Sequence, residues 1–277
     1  MSAGSAVHAA AAHPGGEGGI WLPDSSILRV ATYNIHKGVQ GIGPARRLEI
    51  HNLALAVETL DADIVCLQEV RAENRREAAY FTRWPALPQA DFLAPEGYEA
   101  VYHTNAFTRY GEHGNALLSR WPIISYRHQD MSDHRFEQRG LLHVQLQALG
   151  MVVHVIVVHF GLIPASRFRQ AIQLRRYIRR EVPRTAPLLV AGDFNDWGTR
   201  VRSLLRRDAL QTWEGPRALT YPSRFPVAQL DQIYARGLQP ISLAAPRGRV
   251  WRRMSDHLPL IAEFQLGSAV DLSYLAG

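Results

Sequence analysis

The chain has 277 residues, 47% of them hydrophobic, a single cysteine, a formal net charge of +6 and a pI near 9.8. That is ample for one large core, and the lone Cys66 excludes an intramolecular disulfide, so a cytoplasmic location is expected. The basic balance excludes little: all 31 basic residues except Lys37 are arginine, a skew of composition that does not by itself indicate nucleic acid.

Residues 1–26 are mostly Ala, Gly, Ser and His, with no charged segment ahead of an apolar run, and read as a disordered tail rather than a signal peptide. Residues 28–34 then alternate as a strand ending in Asn34-Ile35-His36-Lys37-Gly38. A helix is expected over 46–60, with Leu48, Leu53, Leu55 and Val57 on its apolar face. A buried strand over 64–67 contains Cys66, a small core residue rather than a nucleophile, and stops at Gln68-Glu69. A helical segment over 73–84 leads through a proline-rich connection to a strand over 99–103. Residues 110–115 read as a polar turn, followed by strands over 116–120 and 123–128. Strands over 139–146 and 151–159 form a hairpin around Gly150, and the second ends at His159-Phe160-Gly161. The longest apolar stretch, 149–158, is too short to span a bilayer and contains His154, so no stable membrane insertion is expected.

A helix over 164–182 accepts Pro164 in its first turn, and the arginines between 167 and 184 read as a solvated face. Leu188 to Ala191 is a fully buried strand that runs through Gly192 into Asp193-Phe194-Asn195-Asp196. Glycine would relieve a sharp turn there, and Asp193 and Asn195 would share a side if the strand continued; an Asx turn closing the strand reads equally well. A short basic helix over 199–207, strands over 229–234 and 241–245, and a last strand over 258–264 opened by Ser255-Asp256-His257 follow. No linker divides 27–267, which reads as one α/β domain with two packed sheets, followed by a C-terminal tail at 268–277.

Asn34, Glu69, His159, Asp193, Asn195, Asp231, Asp256 and His257 all fall at expected strand ends. Each alone could cap a helix, close a turn or sit satisfied in a core. Together they populate the place where α/β sheets carry their sites.

The series Tyr33-Asn34-Ile35-His36, Leu67-Gln68-Glu69, Gly114-Asn115-Ala116, Val158-His159-Phe160, Gly192-Asp193-Phe194-Asn195, Leu230-Asp231-Gln232-Ile233-Tyr234 and Ser255-Asp256-His257 resembles the endonuclease/exonuclease/phosphatase superfamily. The motifs stand in family order over 28–266, and Gly-Asp-Phe-Asn with a C-terminal Ser-Asp-His is the specific combination. The resemblance implies a four-layered α/β sandwich, two packed mixed β-sheets flanked by helices. It also implies divalent-metal-dependent hydrolysis of phosphate esters; the expectation is a phosphodiesterase using an activated water on a nucleic acid or phospholipid, with Mg²⁺ or Mn²⁺ as cofactor and the protein a monomer.

A phosphodiester's own charge repels a nucleophile, so a hard cation must neutralise an oxygen. Glu69 is the first expected ligand, as in the family, with Asn34 and Asp256. Asp231 would orient His257 and raise its proton affinity, giving a base. Asp193 and Asn195 would align the water, and His159 would donate to a phosphoryl oxygen or the leaving group; which histidine is acid and which is base stays open. Asn34, His36 and Asn115 are expected at the substrate. Ser132-Asp133-His134 repeats the terminal tripeptide without a buried strand behind it and reads as a decoy. His36 stands where several family nucleases carry another polar residue, and His159 favours the deoxyribonuclease and sphingomyelinase branch. Two loops, 160–164 and 225–227, are apolar beside these motifs and would either pack or meet bases or lipid. The competing class is a non-catalytic protein that keeps the fold for binding.

Overall fold

The computed structural model describes residues 27–148 and 150–265; the expected tails at 1–26 and 268–277 lie outside the described residues. The first half runs β1 (Ile27–Asn34), a ribbon of β2 (Val39–Gln40) and β3 (Arg47–Leu48), α1 (Ile50–Leu60), β4 (Ile64–Val70), α2 (Arg75–Tyr80), α3 (Gln89–Leu93), β5 (Glu99–Thr108) and β6 (Gly111–Ser119). The second runs β7 (Ile123–Asp130), β8 (Gly140–Ala148), β9 (Met151–His159), α4 (Pro164–Glu181), β10 (Leu188–Asp193), α5 (Arg200–Arg206), β11 (Asp231–Arg236), β12 (Gln239–Ala244), α6 (Trp251–Met254) and β13 (Leu260–Gln265).

The strands form a six-stranded sheet, β12-β13-β1-β4-β6-β5, and a five-stranded sheet, β11-β10-β9-β8-β7. Each is mixed around one parallel pair: β1 with β4, and β9 with β10. Both pairs are joined through a helix, α1 in the first and α4 in the second, the connection parallel strands require. Strand alternation then makes the layers. Leu28 and Val30 of β1, with Val155 and Val157 of β9, face the core between the sheets, where Cys66 is also buried. Ala31 and Tyr33 face α1 and α3 on one outside, while Ile156 and Val158 face α4 on the other. The result is the four-layered α/β sandwich.

Several expectations change; the helix expected over 46–60 begins at Ile50, Leu48 lies in β3, and Leu55 is exposed rather than on the buried face. Residues 110–115 are not a turn: apart from Tyr110 they belong to β6, which pairs with β5 down to Thr108↔Gly111. Its polar alternation hid the strand because Asn115 points into the protein instead of water. The helix over 73–84 shrinks to α2, capped by Asn74, whose side chain accepts from the Glu77 amide at 3.0 Å, and α3 occupies the proline-rich connection. The arginine face of α4 is paired rather than merely solvated: Arg169 holds Asp133, and Arg175 and Arg179 both hold Asp208.

Candidate active site

The two parallel pairs decide where the chemistry sits. Asn34 ends β1, Glu69 lies near the end of β4, and His159 and Asp193 end β9 and β10 in register with each other. Four carboxyl-terminal strand ends thus open onto one cleft of about 300 Å³, lined also by His36, Asn195, Asp256 and His257. Asp231 lies behind it, opposite Asp193 in the β10–β11 register and fully buried. Its neighbour β9 comes so close that a Cβ at Gly192 would stand 1.9 Å from the Val158 carbonyl oxygen. The glycine therefore serves strand contact and not a turn; the strand continues to Asp193. Beyond it Asn195 adopts φ 48°, its amide donates to Asp193 Oδ1 at 2.9 Å, and its side chain donates to the Phe160 carbonyl at 2.9 Å. The Asx turn is real, so Asn195 does not share a strand face with Asp193.

Asp193 Oδ2 is the meeting point. It accepts from Asn34 Nδ2 at 3.1 Å, His257 Nε2 lies 3.5 Å from it and His159 Nε2 lies 3.6 Å from it. His257 Nδ1 is 2.8 Å from Asp231 Oδ2, while the other Asp231 oxygen is buried without a partner. Burial alone would lower the proton affinity of His257; Asp231 and Asp193 more than reverse this and push it up to about 10. His159 is pushed down to about 3, chiefly by burial and then by Arg139, with Asp193 and Glu69 only partly opposing. Two imidazoles facing one carboxylate oxygen are thus held in opposite charge states at neutral pH.

The second half of the cleft carries the acids. Glu69 Oε2 takes the Lys37 ammonium at 2.5 Å and lies 3.9 Å from His36 Nδ1, which is 3.3 Å from Asp256 Oδ1. Burial would raise the Glu69 carboxyl, but the Lys37 ammonium beside it more than offsets this and holds it well below the usual carboxylate range. Asp256 is likewise lowered, its burial outweighed by His36 and His257. Asn34 is committed on both sides, its Oδ1 accepting from the His36 amide at 3.1 Å, and Ser255 Oγ donates to its carbonyl at 2.6 Å.

Of the expected substrate residues, Asn34 and His36 reach the cleft; Asn115 does not. It is fully buried in β6, and its Nδ2 donates to the carbonyls of Gly140 and Val157, tying the two sheets together behind the site. The second Ser-Asp-His is outside the cleft, with Asp133 bound to Ser166 and Arg169. Sequence reading missed Arg139, Trp197 and Tyr221. Arg139 lines the cleft, and the Tyr221 ring lies 4.8 Å from that of His257. In the apolar loops Phe160 is core, whereas Leu162 is 67% and Phe225 82% exposed.

Residues 31–257 match a model of the endonuclease/exonuclease/phosphatase family. The chain belongs to this family. The Escherichia coli protein YbhP, described as uncharacterized, is 38% identical over 256 residues, covering 88% of this chain and all of that one. Among solved structures, the Bacteroides thetaiotaomicron mannosyl-6-phosphatase has a TM-score of 0.67 at 17% identity, covering 86% of this chain and 99% of its own. D. rerio TDP2 complexed with a single-strand DNA product has a TM-score of 0.61 at 17% identity, covering 87% and 99%. Family members are hydrolases of phosphoester bonds and generally use divalent metals.

The donors present suit such a metal. Glu69, Asp256 and Asn34 offer hard oxygens, the set a magnesium-class cation takes, and Glu69 already attracts the Lys37 ammonium. Asp193, Asp231 and His257 also bring ligand atoms within 4.8 Å of one another. His257 Nδ1 is already engaged by Asp231, however, and this trio is better read as a hydrogen-bonded relay.

Proposed function

We propose that the protein is a Mg²⁺- or Mn²⁺-dependent phosphodiesterase acting on a nucleic acid or phospholipid phosphodiester. The observation that carries this reading is the Asp193 carboxylate placed between His257 and His159, beside the Glu69–Asp256 acids. When bound at Glu69, Asp256 and Asn34, the metal would neutralise charge on the phosphoryl group. The protein's own residues supply the rest. Asp193, held by Asn34 and by the Asn195 amide, orients the attacking water and accepts its proton. His257 with its proton affinity raised to about 10 is a donor at neutral pH, so the couple expected as a base acts instead on a phosphoryl oxygen. His159, kept neutral, retains one ring N–H for the same group. Arg139 adds a fixed positive charge. Exposed Leu162 and Trp197 on the cleft lining suit a substrate with an aromatic or acyl portion.

Turnover should be measured with Mg²⁺ or Mn²⁺ against plasmid DNA, RNA, sphingomyelin, cardiolipin and bis-nitrophenyl phosphate. Metal-dependent release from at least one diester is expected. A folded protein that binds one of these and cleaves none would instead be the non-catalytic binding member of the fold.

A further inference from the structure

In a chain where every other basic side chain is a guanidinium, the sole ammonium is placed against the principal acid of the cleft. Lys37 is not draped there by chance. His36, Lys37 and Gly38 have φ of 46°, 62° and 71°, and Glu69 has 57°. Left-handed backbone at non-glycine residues is costly and persists only where the surroundings impose it. Here they do: Gln89 Nε2 donates to the Lys37 carbonyl at 2.9 Å, and the Glu49 amide donates to that of Gly38 at 2.9 Å. A Cβ at residue 38 would come 2.8 Å from Gln89 Nε2, so the turn also demands its glycine. Both partners of the ion pair are thus held in special backbone conformations that aim one at the other.

The pair has the chemistry of an exchangeable one. Lysine is a compact point charge on a flexible stem, and here it contacts Oε2 of Glu69. Arginine would offer a planar fork that can claim both carboxylate oxygens. A divalent cation and an ammonium crowded onto one half-buried carboxylate would repel each other strongly. Removing the ammonium with nothing in its place would strand a poorly hydrated charge, because the Glu69 side chain is only 15% exposed.

We propose that Lys37 is a displaceable internal counter-ion: without metal its ammonium holds Glu69, and a divalent cation binding Glu69 takes its place. The inference rests on the metal-dependent reading above. His36 Nδ1 lies 3.3 Å from Asp256 Oδ1, so the second acid of the cleft also has a side-chain nitrogen beside it.

The single lysine makes the test direct. Full-length protein grown with ¹³C,¹⁵N-lysine has one lysine side-chain signal, which can be followed while Mg²⁺ is added after chelator treatment. The Lys37 Cε and Nζ resonances should move in proportion to the occupancy measured by calorimetry. Lys37→Met should bind Mg²⁺ more tightly than wild type by roughly tenfold, about 1.4 kcal/mol, and Lys37→Arg more weakly. Metal binding with a stationary lysine signal would overturn the proposal and leave the functional reading intact. So would a folded Lys37→Met variant with unchanged or weaker affinity; if that variant does not fold, the wild-type signal still decides. No Mg²⁺ binding by the wild-type protein would overturn both.

Discussion

Strand β9 carries one histidine in its middle and one at its carboxyl end, and the two belong to very different pairs. His154 is 2.9 Å from His143 on β8, which in turn is 3.0 Å from the Tyr177 hydroxyl. His159, at the other end, shares the Asp193 carboxylate with His257. All four imidazoles are buried. Burial, aided by the His154 ring, pushes His143 down to about 3, while Asp231 and Asp193 carry His257 up to about 10 against the same force. Burial makes a histidine a neutral strut by default; a carboxylate in hydrogen-bond contact turns it into a resident cation. One pair holds the sheet to α4, and the other equips the cleft.

The sharpest way to break this contrast is at the cation. His257→Ala should lower kcat by about 10²–10⁴. Asp231→Asn should leave the imidazole in place with lower proton affinity, so the alkaline fall of the pH–rate profile should begin at a lower pH. The double variant should lose little more than His257→Ala, as for residues that act as a unit. Multiplicative losses would dissolve the couple.

A smaller effect is expected at the acid opposite. Glu69→Gln keeps the shape but removes the charge, so Mg²⁺ affinity by calorimetry should fall by about tenfold or more, with partial rescue of turnover at high Mg²⁺. Unchanged affinity would move the ligand elsewhere.

The subtlest test concerns the neutral pair. His113, His128, His143, His154 and His159 are all lowered from 6.5, chiefly by burial. Between those lowered values and 6.5 the unfolded chain binds more protons than the folded one. Their stabilisation is therefore complete above pH 6.5 and is lost as pH falls toward 3, whereas that of His257 is complete below 6.5 and is lost as pH rises through about 10. Urea midpoints should fall between pH 7 and pH 5. His143→Gln should flatten that slope without moving the catalytic pH profile; an unchanged slope would remove His143 from the acid response.

Much of this arrangement was legible in the sequence because strand ends are legible. A buried run that stops at a polar residue marks both an element and its exit; Asn34, His159 and Asp193 each close such a run, and Glu69 stands one residue before the end of another. Asp256 and His257 were found instead through the Ser-Asp-His motif just ahead of β13. Asn115 was misplaced for the opposite reason: its polar neighbours concealed a strand, and the carbonyls it satisfies come from residues 25 and 42 positions away. Arg139 carried no signal among so many arginines, and Tyr221 and Trp197 lie in segments with no period to expose them. The proton affinity of His257 was the hardest to foresee, since it depends on Asp231 and Asp193 together, and Asp193 is distant in sequence.

The pairing of β1 with β13 has a consequence for how the protein comes to work. Ile27 lies opposite Gln265, and Ser255 bonds the carbonyl of Asn34 across 221 positions of sequence. Asn34 in turn reaches Asp193, 159 positions away. Such distant closures are made late, after local strands and helices have formed. A chain emerging from the ribosome can therefore hold most of its sheets and still lack His257, Asp256 and the strand that seats them. The proposed hydrolytic site is complete only with the final described segment, so a product truncated before residue 255 should be silent even with Glu69, His159 and Asp193 intact.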